Sequence, residues 1–129
     1  MVKQSYQYPQ CLYTKTIQEA TQLPNGSWQP ETEVWALTAY CREETNGKGT
    51  QINTADGRAI AFSSLIQAPK GTPRVDEGTE VIISTDAQLD VTKLLNADFV
   101  TTAKQQGIIV AQGTCLKCDS GRLHTRIWI

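Results

Sequence analysis

Three dipeptides limit what this chain can fold into more than anything else in it: Asn25-Gly26, Asn46-Gly47 and Asp56-Gly57. Each couples a residue that tolerates positive φ to one that adopts it freely, which is the chemistry of tight β-turns. The runs between them are rich in β-branched and aromatic residues, so an antiparallel meander is expected. In the clearest run, from Val34 to Arg42, Trp35, Leu37, Ala39 and Cys41 fall on one face. Val34, Ala36, Thr38 and Tyr40 fall on the other, as in a long, well-buried strand.

The stretch Asp56–Ser84 organises the rest. Its Asp56-Gly57 pair reads as a type I′ turn, followed by a strand with Ile60, Phe62, Ser64 and Ile66 on one face and Ala59, Ala61, Ser63 and Leu65 on the other. Pro69 and Pro73 bracket Lys70, Gly71 and Thr72, which forbids helix and predicts a stiff crossing loop. A turn at Asp76-Glu77-Gly78 then leads to a strand over Glu80–Ser84.

A short helix is expected within 90–106, capped by Asp90, broken near Asn96 and ended by Gly107. Ile108 to Leu116 reads as a central strand, and Asp119-Ser120-Gly121 as a tight turn. The last strand sets Leu123, Thr125, Ile127 and Ile129 against Arg122, His124, Arg126 and Trp128. The fold class is therefore mainly β: a small antiparallel β-barrel or closed meander of about seven strands with one short helix. Residues 1–129 read as a single domain, with residues 1–9 as an extended arm.

Twelve Lys and Arg against 13 acidic residues give a formal net charge of −1. A field that weak does not support non-specific nucleic-acid binding by the whole chain, although a local patch remains open. No apolar run is long enough to span a membrane, no signal sequence is visible, and cytosolic, reduced thiols are expected.

Chemistry has few footholds. Cys115-Leu116-Lys117-Cys118 supplies two of the four ligands a zinc site needs, but no second such pair exists, and Cys11 and Cys41 sit alone on other strands. On a regular strand positions 115 and 118 face opposite sides, so shared ligation needs a bend. Two small buried residues explain the motif with fewer assumptions. His124 is the single histidine; Cys115 or Cys118 could approach it, yet no orienting third group is apparent. With no P-loop, dinucleotide fingerprint or nucleophile elbow, no enzyme, cofactor or metal is expected. The stripe Arg122, His124, Arg126 and Trp128 is the one basic face. It suits nucleic acid, an acidic partner, or simply protection of a terminal strand from pairing with other chains.

The arrangement of the Asp56-Gly57 turn, the alternating strand to Ile66, the loop Pro69 to Pro73, and Gly78 before Val81 and Ile83 resembles the small β-barrel neck proteins of tailed bacteriophages and prophages, the head–tail connector, stopper or head-completion group. The terminal hairpin Cys115–Ile129, ending Arg126-Ile127-Trp128-Ile129, is similar too. The resemblance implies a structural protein without chemistry, one that joins or seals the head–tail connection as a ring. Its partners would be copies of itself and other neck or tail subunits, with transient contact to DNA in the channel. It would reside in the host cytoplasm during assembly and then in the virion. The expected contact loop is Pro69, Lys70, Gly71, Thr72, Pro73, Arg74, Asp76 and Glu77, and deleting residues 70–77 should leave the barrel folded. The alternatives are an OB- or SH3-like barrel that binds nucleic acid, or a zinc- or thiol-dependent protein using Cys115 and Cys118.

Overall fold

The computed structural model describes residues 7–54 and 56–129. The chain runs out along β1 (Gln10–Gln18) and β2 (Thr21–Gln22) and returns along β3 (Trp28–Gln29) and β4 (Thr32–Thr45). Gln18 pairs with Thr32 and Thr21 with Gln29, so all four segments share one register and make a single long hairpin. At its tip the Leu23 N–H donates to the Ser27 carbonyl at 2.7 Å and the Gly26 N–H to the Leu23 carbonyl at 2.9 Å. Gly26 takes φ +86° there, the conformation for which the Asn25-Gly26 signal was read.

A bulge changes the meaning of β4. Leu12 pairs with Ala39 but Tyr13 with Leu37, which leaves Thr38 as an extra residue. One inserted residue exchanges the two faces of a strand. Trp35 and Leu37 therefore pack under the helical segment, whereas Ala39 and Cys41 point into the opposite core. The expectation that Trp35, Leu37, Ala39 and Cys41 share a face is corrected by this bulge. Thr38 Oγ1 meets Thr14 Oγ1 at 2.6 Å.

The strand expected from Ala59 to Ile66 is two strands. β5 (Gln51–Asn53) and β6 (Ala59–Ala61) form a separate hairpin, and the chain bends at 62–63 before β7 (Ser64–Pro69). Asn46 fixes that bend: its Nδ2 donates to the Phe62 carbonyl at 2.7 Å and to the Thr50 carbonyl at 2.9 Å. The turn beyond β5 is not type I′. Gly57 has φ +84° but Asp56 does not enter the positive-φ region, and the Thr54 N–H bonds the Arg58 carbonyl across a wider loop.

Beyond β7 come β8 (Glu80–Ser84), a 3-10 turn (Val91–Leu95), α1 (Ala97–Gln105), β9 (Ile109–Thr114), β10 (Lys117–Ser120) and β11 (His124–Trp128). The break expected near Asn96 separates the 3-10 turn from α1, where Asn96 Oδ1 accepts from the N–H groups of Asp98 and Phe99. The principal sheet has seven strands, ordered β10-β11-β7-β4-β1-β8-β9, with every pairing antiparallel. Its two edge strands, β9 and β10, are consecutive in the chain. Cys115 donates its N–H to the Thr79 carbonyl, and Leu116 donates to the Trp128 carbonyl, so the backbone changes partner strands within one residue. The curled sheet is thus joined edge to edge by its own chain, without a β9–β10 ladder. At this seam a methyl group on Gly113 would come within 3.3 Å of Ile129 Cβ.

Two cores result. Leu12, Cys41, Ile66, Val81, Ile83, Cys115, Cys118 and Ile127 fill the inside of the curl. Cys11, Tyr13, Trp35, Ile82, Val100 and Ala103 form a second layer between the sheet and α1. β8 serves both, which explains its unbroken apolar run.

Candidate functional site

The segment from Pro69 to Gly78 is a strap pinned across one end of the curl. Two turns shape it: Thr72 N–H donates to the Pro69 carbonyl with Gly71 at φ +90°, and Thr79 N–H to the Asp76 carbonyl with Gly78 at φ +88°. Positive φ at the third residue makes both type II turns, which glycine accommodates without strain. Between them Val75 is only 4% exposed and belongs to the inner core. The Cys115 thiol donates to the Val75 carbonyl at 3.6 Å, and Gly78 N–H donates to the Cys115 carbonyl at 2.9 Å. The expectation that residues 70–77 can be removed without harm to the barrel is corrected: Val75 plugs it.

Lys70, Gly71, Pro73, Arg74, Asp76 and Glu77 remain exposed, while Pro69 is buried and Thr72 half-buried. Clefts flank the strap where it crosses the β4 bulge. One, of about 550 Å³, lies between Thr38, Ala39 and Tyr40 and the stretch Pro69–Pro73; the other, of about 410 Å³, lies between Thr14, Leu37 and the stretch Pro73–Asp76. Neither gathers acid–base or nucleophilic groups.

The basic stripe is real and faces outward. In β11 Thr125 and Ile127 are buried, while His124, Arg126 and Trp128 point away from the core. Leu123, set by alternation on the side of Thr125 and Ile127, lies in the turn and is 74% exposed. Much of the stripe is already engaged. Arg126 pairs with Asp119 at 3.0 Å, and Arg126 and Lys117 sit 5.6 Å and 5.4 Å from the Trp128 ring centre. His124 Nδ1 lies 2.8 Å from the Tyr8 hydroxyl. The expected arm over residues 1–9 falls mostly outside the described residues; of it, Tyr8 packs against β11.

The chain does bend at the cysteine motif, and Cys115 and Cys118 both enter the inner core. Burial, and next the neighbouring Cys118, pushes the Cys115 thiol up to about 11. Burial, with Cys11 as a lesser cause, raises Cys41 further still. These thiols are protonated at neutral pH and poorly suited to attack or to metal capture. Cys118 pairs with Ile127 on the inner face while His124 faces out, so the two are not poised as a nucleophile and its base. Among the described residues no group of three or more His, Cys, Asp or Glu side chains could hold a metal ion. No helix there is long and apolar enough to cross a membrane.

Sequence reasoning missed two features. Lys15 is bracketed by Glu33, at 3.3 Å, and Glu80, a triad assembled from three strands that no local spacing could announce. It also missed how far the first hairpin leaves the body: residues 16–33 are exposed throughout, with Ile17 57% and Trp28 64% accessible. The turn signals gave the hairpin, but its isolation depends on what fails to pack behind it. No family model matches the chain, and neither a curated protein nor a solved structure matches it.

Proposed function

We propose that this chain is a structural protein of the neck of a tailed bacteriophage or prophage, joining or sealing the head–tail connection by assembling into a ring. The observation that carries the reading is the division of the molecule into a small curled barrel, with the strap 69–78 pinned across one end, and two elements that protrude from it: the arm 16–33 and the β5–β6 hairpin. A ring subunit needs two unlike adhesive surfaces, and protruding hairpins supply them without disturbing the core. On this reading the protein acts through contacts with its own copies and with neighbouring neck or tail subunits, first in the host cytoplasm and then in the virion. Removing its gene from the phage or prophage that carries it is expected to yield separated heads and tails. Intact, infectious particles from such a deletion would overturn the proposal.

A second reading rests on the outer face of β11, where a barrel strand presents cations and an aromatic ring as single-strand binders do. It is the weaker one, because Lys117 and Arg126 already lie against Trp128 and a stacking base would have to displace them.

A further inference from the structure

The arm and the basic face are complementary in both charge and apolar character. Residues 16–33 contain glutamates at 19, 31 and 33 and neither Lys nor Arg. Because the register is the same on both sides of the gap between β1–β4 and β2–β3, odd-numbered residues share one face of the arm. Continuing that register across the gap places Glu19 and Glu31 opposite one another on that face, together with the exposed Ile17 and Leu23. Like charges directly opposed weaken a hairpin. Glu33 is turned to Lys15, but among the described residues neither Glu19 nor Glu31 enters an ion pair.

Elsewhere on the molecule, the outer face of β11 and β7 holds a cleft of about 350 Å³ lined by Leu65, Gln67, Arg122, Leu123, His124 and Arg126. Arg122 is exposed and, among the described residues, makes no ion pair, and Leu123 beside it is bare. Two carboxylates with two aliphatic side chains on one surface thus match, on the other, the Arg122 guanidinium and an aliphatic side chain, with Arg126 shared between the cleft and Asp119.

We infer that the acidic face of the arm in one copy docks into the Arg122–Leu123 cleft of a second copy. This rests on the ring reading and specifies which surfaces meet. The two surfaces differ, so every docked copy still offers a free arm or a free cleft, and the contact propagates until rotation closes it. Burial of Ile17, Leu23 and Leu123 holds the contact, while the charges steer encounter and fix its orientation. On docking the glutamates gain Arg122 as a counter-ion.

Sedimentation of the purified chain over a concentration series tests this. Self-association is expected to weaken about tenfold or more in Glu19→Lys/Glu31→Lys and likewise in Arg122→Glu/Arg126→Glu, and to weaken with added salt. All four positions are surface sites, and circular dichroism is expected to show both variants folded. An equimolar mixture of the two is expected to recover association with the variants alternating one to one, because reversed arm then meets reversed cleft and unaltered arm meets unaltered cleft. A wild-type chain that stays monomeric, variants that associate as the wild type does, or a mixture that fails to pair would each overturn the inference. So would loss of binding to a labelled single-stranded oligonucleotide in Arg122→Glu/Arg126→Glu with self-association unchanged, which would assign the cleft to nucleic acid. The neck role stands or falls separately, on the particles made by the gene deletion.

Discussion

β8 and the arm 16–33 are both extended, antiparallel backbone, yet one is hidden on both faces and the other on neither. In β8 Val81 and Ile83 fill the curl while Ile82 supports the helix layer, so three consecutive side chains serve two cores. In the arm, the tip hydrogen bonds between Leu23, Gly26 and Ser27 and a shared register hold the shape with no core behind it. An isolated two-stranded hairpin is marginal in water. The contrast separates stability from display: the body can tolerate little change, and the arm can change without cost to the fold.

Mutations can break that contrast from either side. Ile82→Ala should have the largest effect, destabilising the chain by about 2–5 kcal/mol, because it opens a cavity between sheet and helix; denaturant unfolding would measure it. Val75→Ala should cost about 1.5–3 kcal/mol, which would place the strap with the body rather than with the arms. A loss near zero would return the strap to the periphery. Alkaline pH probes the same interior. The Cys115 thiol ionises at about 11 in the folded chain against a reference value of 9.0, so between those values the unfolded chain releases a proton that the folded one retains. The contribution of this thiol should therefore be level from neutral pH to about 9, and stability should fall as pH rises toward 11, a decline that Cys115→Ala should reduce. The smallest effect belongs to the arm: Trp28→Ser should move stability by no more than about 0.5 kcal/mol.

What could be read in advance follows the same line. Turn chemistry and period-two alternation are local, so the hairpin at Asn25-Gly26, the shared face of Ser64 and Ile66, the break near Asn96 and the common face of His124 and Arg126 were all legible. The bulge at Thr38 was not, because an inserted residue is defined by the partner strand: nothing in Leu37-Thr38-Ala39 distinguishes it from a regular run. For the same reason a single alternating segment concealed the bend at 62–63, which depends on Asn46 reaching across from another loop. The proposed contact surfaces were half visible. Arg122, His124 and Arg126 stood out as a stripe, whereas Glu19 and Glu31 become neighbours only once the register is known.

The seam at Cys115-Leu116 has a consequence for the order in which the chain can fold. Ile66 pairs with Ile127 about sixty residues away, and Leu12 with Ile83 about seventy away, so the curl is built from non-local contacts. Such topologies fold in milliseconds to seconds rather than microseconds. The hairpin β1–β4 and the pair β8–β9 can form early, but β7 has no second neighbour until β11 arrives. The seam delivers that neighbour: once β9 is seated on β8, the two-residue link holds β10 and β11 at the opposite rim, within short reach of β7. A longer linker inserted between Cys115 and Leu116 should leave the early hairpins intact and slow the last folding phase.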